Sequence, residues 1–280
     1  MNEDSVKFNM HRKRWITGIV ALPFLIYLIY TGGVAFASMI AVASLLAFWE
    51  YFRIVFDSPD TNLRKVVTAI GYLTALSMVA VAYRCSVEMI IVVMGANIII
   101  SSLVFLFFFK SNLQMIESIR IQLQGVIYIP LSLSILVLIR NGTDGVAWIF
   151  FLLAIIFAGD TSAFYFGTYF GRHKLSPSVS PGKTIEGSIG GFLANILVGS
   201  VFKLFLFPYL SWGICFFFFI LIGAAGQVGD LFESALKRMS GVKDSGTILP
   251  GHGGILDRID ALLFATPVMY FFIIYAQYSR

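Results

Sequence analysis

Seven charged side chains and one histidine fall within the 27 residues from Ser234 to Asp260, SALKRMSGVKDSGTILPGHGGILDRID. They are Lys237, Arg238, Lys243, Asp244, His252, Asp257, Arg258 and Asp260. Almost unbroken hydrocarbon flanks them, FFFFILIGAAG before and ALLFATPVMYFFII after. A loop that only joins two membrane helices needs a few basic anchors and some turn residues, not interleaved carboxylates and cations around a Pro-Gly-His-Gly-Gly turn. Ionisable groups at the mouth of an apolar bundle are costly to place there, which argues for a function. Asp230 ends the run GAAGQVGD, and Ser234 at i+4 and Lys237 at i+7 share its helix face. Asp257 and Asp260, at i and i+3, share a face at the start of the next apolar run. Carboxylates from two helices that meet in one cavity repel each other unless a cation lies between them. Hard oxygen ligands of this kind suit Mg2+, which also takes phosphate oxygens. Lys237, Arg238, Lys243 and Arg258 supply the positive charge that phosphates need, and this combination is the equipment of phosphoryl or nucleotidyl transfer.

A second stretch, AGDTSAFYFGTYFGRHKLSPSVSPGKTIEG from Ala158 to Gly187, carries related chemistry. Asp160 follows WIFFLLAIIF, deep in an apolar helix, where a carboxylate facing lipid costs about 2.5–3.5 kcal/mol; it is therefore expected to face the bundle interior. Thr161, Gly167 and Gly171 fall on or near a small-residue face that allows close helix approach. The loop then offers two Ser-Pro steps, Ser180, Gly182, Lys183, Thr184 and Glu186, with Lys183 and Thr184 at a helix start, where free N–H groups and a lysine favour an anion. SPGKT resembles the end of a phosphate-binding loop, but the glycine and strand that should precede it are missing. A basic, serine-rich loop after a span is ordinarily a membrane anchor, Asp160 alone is compatible with helix packing, and His252 is equally compatible with a turn or a substrate contact.

The elements that must position these residues are membrane helices. Of 280 residues 58% are hydrophobic and 12% charged, and the mean hydropathy is +0.86, which excludes an ordinary soluble domain. With about 20 apolar residues per crossing, spans are expected near 15–31, 34–53, 66–83, 88–109, 120–139, 146–170, 185–207, 212–236 and 256–277, about nine in all. The first run lacks a cleavage-site pattern and reads as a span. Cys85 and Cys215 have no metal-ligand spacing and read as unpaired packing residues. Lys203 lies within a span and is expected to snorkel outward.

Lys and Arg set the orientation. With the N-terminus inside, the inner side carries HRKR, Arg53, Arg64, Lys65, Lys110, Arg120, Arg172, Lys174, Lys183 and the whole 234–260 stretch, and the outer side only Arg84, Arg140 and Arg280. This predicts an all-α polytopic bundle, N-terminus inside and C-terminus outside, with both polar loops in the cytoplasm. Residues 1–140 are expected to form a scaffold, with roles in oligomer or lipid contacts left open, and 141–280 the part that carries the site.

The motif Ser-x-Leu-Lys-Arg, then Lys-Asp-Ser-Gly, then Leu-Pro-Gly-His-Gly-Gly-Ile-Leu-Asp-Arg-Ile-Asp resembles that of phosphatidate cytidylyltransferases, the CDP-diacylglycerol synthases. The match is unbroken from Ser234 to Asp260, and GDTSAFYFG, GRHKLSP and SPGKTIEG resemble the family pattern upstream. The resemblance implies Mg2+-dependent synthesis of CDP-diacylglycerol and pyrophosphate from CTP and phosphatidate, in the phospholipid biosynthesis of a bacterial inner membrane, with the site facing the cytoplasm. It implies metal binding by Asp230, Asp257 and Asp260, with Asp244 near the metal, and phosphate contacts from Lys237, Arg238, Lys243 and Arg258. Asp160, Ser180, Lys183, Thr184 and Glu186 would form the CTP side. A second cation and a homodimer are left open; nucleic acid is not an expected partner. Two other classes stand beside this one: a CTP-dependent lipid kinase of the polyprenol type, which would release CDP, and a transporter of an anionic solute. Against the transporter, the charges cluster on one face, not at the midplane, and no inverted repeat is visible.

Overall fold

The computed structural model of the chain describes residues 21–56, 62–109, 113–248 and 253–278. It is an all-α polytopic membrane fold. Helix α1 (Ala21–Thr31) is followed by α2 (Gly33–Val55), α3 (Asn62–Tyr83), α4 (Val87–Phe107), α5 (Leu113–Val126), α6 (Ser132–Asn141), α7 (Gly145–Phe170), α8 (Ile185–Leu206), α9 (Trp212–Met239) and α10 (Leu256–Tyr278). A π-helical turn at Ile127–Leu131 holds Pro130 and joins α5 to α6, so that Ile116–Asn141 is one span. Among the described residues eight helices are long and apolar enough to cross a bilayer. The first expected span is represented by α1; its expected start, residues 15–20, lies outside the described residues. Large apolar side chains stand exposed along these helices, such as Ile91, Ile99 and Leu103 on α4 and Leu197 and Phe205 on α8, as lipid-facing surface requires.

The purely helical expectation needs one addition. Between α7 and α8 the chain forms an antiparallel hairpin of β1 (Lys174–Ser176) and β2 (Ser180–Thr184), pairing Lys174 with Thr184 and Ser176 with Ser180. Two side chains also differ from expectation. Lys203 is buried, because the chain after α8 folds back over it: Nζ donates to the Pro208 carbonyl at 3.0 Å and lies 4.6 Å from the centre of the Trp212 ring. Cys215 is buried as expected, but Cys85 is exposed at a left-handed turn after α3, and both are free thiols.

The chain divides into two compact units. The first comprises residues 1–141 and 240–258, so the loop after α9 belongs with α1–α6. Its core centres on the last turns of α2, where Phe48 stacks on Phe52 at 4.2 Å and Tyr51 donates to the Ile121 carbonyl at 3.1 Å. Polar pairs tie its helices together, Asn97 to Thr74 at 2.7 Å and Ser101 to Gln122 at 3.3 Å, the kind of glue that works within lipid. The C-terminal ends of α1, α3 and α6 meet: the Arg140 guanidinium donates to the carbonyls of Ile29 and Tyr30, and Asn141 donates to the Tyr83 carbonyl. Gly32, at φ +62°, turns the chain from α1 into α2 where a side chain would run into that guanidinium.

The second unit comprises residues 142–239 and 259–280. α7 and α8 form a close hairpin; a Cβ on Gly187 would stand 2.6 Å from the Ala163 carbonyl. Aromatic rings fill one layer: Trp148 stacks on Phe207 at 3.8 Å, and Phe272 meets Trp148, Phe151, Phe218 and Phe219. Each of three helices carries an acid 11 or 12 residues from its ring in that layer: Asp160 from Trp148, Asp230 from Phe219 and Asp260 from Phe272. At 1.5 Å per residue that is about 16–18 Å, so fixing the aromatic layer brings the three carboxylates to one level.

Candidate active site

The acid cluster begins with the approach of α9 to α10. A Cβ on Gly229 would stand 2.5 Å from the Asp260 carbonyl oxygen and 3.1 Å from Phe264 Cβ, so this position admits only glycine if the backbones are to stay as close. The residue after that contact is Asp230. Asp230 and Asp260 therefore lie near enough to repel each other, and Asp160 on α7 repels both. Lys183 of β2 answers them: its Nζ lies 2.6 Å from Asp230 Oδ2. Ser234, one turn after Asp230, donates to Asp230 Oδ1 at 3.4 Å, as the helical row predicts. Asp160 faces the charges of α9 and β2, and its residue is exposed.

The hairpin is braced on both sides. Thr184 is buried and caps α8, its hydroxyl accepting from the Gly187 N–H at 3.1 Å, while Gly167 and Gly171 of the α7 end leave room for its side chain. Glu186 accepts the N–H groups of Arg172 and His173 and pairs with His173 Nδ1 at 2.6 Å. Thr184 and Glu186 thus fix the shape of the segment that presents Lys183 and the half-buried Ser180. On α9, Lys237 pairs with the buried Glu233 one turn before it, and Arg238 Nε donates to the Val179 carbonyl at 3.3 Å, tying the helix end to the hairpin turn. Glu233 was not among the residues singled out from the sequence; its i, i+4 spacing to Lys237 was the available signal.

The remaining motif residues belong to the first unit. Lys243, Asp244 and Arg258 are exposed, and His252 lies outside the described residues. Asp257 is engaged locally: its Oδ2 accepts the N–H groups of Ser245 at 3.0 Å and Gly254 at 2.8 Å, closing the two ends of the loop on each other. Beneath this loop lies Glu50 of α2, another residue the sequence reading passed over. It is fully buried, and it accepts from the Ser245 hydroxyl and from the N–H groups of Ile255 and Leu256. A single carboxylate in the apolar run LLAFWEYFRIV could have marked it.

Among the described residues no three carboxylate, imidazole or thiol groups form a metal cage. Mg2+ does not need one, since it binds through one or two carboxylates and fills its shell with water and substrate phosphates. The oxygen donors of Asp230 and Asp260, held together by the glycine contact, fit such an ion.

Acids and cations gathered at one end of membrane-crossing helices place the chain among integral membrane enzymes. Residues 12–276 match the cytidylyltransferase family, and the chain belongs to that family. It is 32% identical over 259 residues to a phosphatidate cytidylyltransferase of Staphylococcus epidermidis, covering 91% of this chain and 96% of that protein. A phosphatidate cytidylyltransferase of Staphylococcus haemolyticus is 32% identical over 263 residues, and one of Staphylococcus aureus 30% over 259, each with the same coverage of both chains.

Proposed function

We propose that the chain transfers the cytidylyl group of CTP to phosphatidate, releasing pyrophosphate and leaving CDP-diacylglycerol in the membrane. The observation that supports this most is the gathering of Asp160, Lys183, Asp230 and Asp260 in a chain of which 91% matches a phosphatidate cytidylyltransferase. A phosphate oxygen of the lipid attacks the α-phosphorus of CTP, the bond from that phosphorus to the bridging oxygen breaks, and its electrons leave with pyrophosphate. The attacking group is already an anion, so no general base is required. The work is to bring two anions together in line and to neutralise the charge that gathers.

Lys183, Lys237, Arg238, Lys243 and Arg258 are the phosphate contacts of this reading. Lys183 and Ser180 serve the CTP side, and Thr184 and Glu186 keep the hairpin in shape. Asp230, Asp257 and Asp260 are the residues that would hold Mg2+. When bound, the ion supplies charge neutralisation at the phosphate oxygens. The Lys/Arg asymmetry supports an N-terminus and polar loops on the cytoplasmic side of a bacterial inner membrane, where CTP is found.

The test is purified protein in detergent with labelled CTP and phosphatidate. Lipid-linked CMP and pyrophosphate are expected. Lipid phosphate with CDP would instead mark a kinase.

A further inference from the structure

We infer that Glu50 is a positioning residue for the reaction: it holds the segment around Ser245 and the start of α10 in their working shape. This rests on the reading that Lys243, Asp257 and Arg258 of the 240–258 loop handle phosphates and metal. Glu50 lies on α2, 195–206 residues away in sequence from its partners. Its Oε2 accepts from Ser245 Oγ at 3.0 Å and the Leu256 N–H at 2.8 Å, and its Oε1 accepts from the Ile255 N–H at 3.1 Å. All three partners are donors, and two are N–H groups at the start of α10 that no helical carbonyl can satisfy. A carboxylate, which only accepts, suits this place. The same helix end continues the grip. Arg53 donates to the Ser245 carbonyl, and the Ile54 carbonyl accepts from Ser240 Oγ at 2.5 Å.

This arrangement accounts for glycines within the motif. A Cβ on Gly254 would stand 2.5 Å from both oxygens of Glu50, and one on Gly246 would run into Oε1. Those two backbones are bare because the carboxylate of α2, and at Gly254 also the Ser245 hydroxyl bonded to it, occupy the space a side chain would need. Asp257 then accepts from Ser245 N and Gly254 N, so Ser245 is held from two sides by two acids. Asp260 follows one turn later on the same helix. Glu50 thereby sets the loop's shape and the helix start without meeting substrate.

The test compares Glu50→Gln with wild type. Glutamine keeps the volume but puts an NH2 group against at least one donor. Two readouts are taken. Hydrogen exchange, followed by mass spectrometry, should rise in the 240–258 peptide and stay at the wild-type level in peptides from α3 and α4. The kcat/KM for CTP should fall about 10–100-fold, the usual cost of losing a carboxylate that orients ligands. Ser245→Ala and Gly246→Ala disturb the same contact from the loop side. They should shift both readouts in the same direction, which preserves the test if Glu50→Gln does not assemble. Wild-type exchange in 240–258, or a loss confined to the yield of folded enzyme with an unchanged kcat/KM for CTP, overturns the inference. Lys243→Ala separates it from the parent reading. If Lys243→Ala lowers kcat/KM for CTP and Glu50→Gln does not, only the role of Glu50 falls; if Lys243→Ala leaves kcat/KM unchanged, the loop's role in phosphate binding falls, and the inference with it.

Discussion

Lys183 Nζ stands 2.6 Å from Asp230 Oδ2, so the lysine of the SPGKT hairpin closes onto the last polar turns of α9. The two side chains are 26% and 33% exposed, and a pair this open to water contributes at most about 1 kcal/mol. A bond that weak is easily exchanged. In the proposed reaction Lys183 would exchange this contact for phosphate oxygens of CTP, and Asp230 would be released toward a divalent ion.

From this pair follows the first prediction. Lys183→Ala should raise KM for CTP by about one to two orders of magnitude, the range for a lost charge-assisted hydrogen bond, and leave KM for phosphatidate within a few-fold. Steady-state kinetics with each substrate varied in turn checks it. An equal rise for both substrates would assign Lys183 to general charge neutralisation.

The membrane character, the span positions and the charged motif were legible in the sequence because they depend on composition and local spacing. The i, i+4 relation of Asp230 to Ser234 is an example, and so is Thr184 at the start of α8. What stayed hidden depends on long-range packing. Nothing near Glu50 in sequence indicates that it serves Ser245, and nothing near Thr184 indicates that Gly167 and Gly171 lie against its side chain. Asp160 stands out in the sequence by its depth, whereas its place beside Asp230 and Lys183 depends on how α7 packs against α9 and β2. The β1–β2 hairpin was missed because Ser-Pro steps and a central glycine read as loop.

The glycine contact between α9 and α10 leads to a second prediction. Gly229→Val inserts a branched side chain where the Asp260 carbonyl and Phe264 Cβ already stand, so α10 must shift by an ångström or more. A displacement of that size at reacting groups costs about 100-fold in rate. Activity should fall by that amount while Gly213→Val, at a position with open space around it, stays near wild type. Comparable activity in the two variants would show that the approach does not set the site.

Orientation is tested by reporter fusions. Placed after Lys110, Lys183 and Arg280, they should report cytoplasm, cytoplasm and the outer side, in line with the Lys/Arg distribution. Cytoplasmic signals at both Lys183 and Arg280 would mean that α8, α9 and α10 do not all cross the bilayer, and would overturn the odd number of crossings.

The carboxylates carry the strongest prediction. Asp230 is brought beside Asp260 by the Gly229 contact, Asp160 adds a third negative charge, and Lys183 is the cation paired there. Three acids face Lys183 and, at Asp260, the field of Lys237, which itself pairs with Glu233; on the proposed reading a divalent ion would supply the positive charge still lacking. Asparagine at 230, 257 or 260 keeps the volume and removes one charge and one ligand oxygen. Activity should drop by at least about 100-fold in each variant, with membrane insertion and melting temperature retained. The Mg2+ concentration for half-maximal activity should rise, or no concentration should restore the rate. Binding of Mn2+ to the purified protein with CTP, followed by its paramagnetic resonance signal, should weaken in the same variants and so separate metal loss from slow chemistry. Asp257 is the most informative of the three, because its Oδ2 also accepts two loop amides. Asp257→Asn that keeps full activity at limiting Mg2+ would remove it from the metal set and leave it as the group that closes the loop, with Asp230 and Asp260 holding the ion alone.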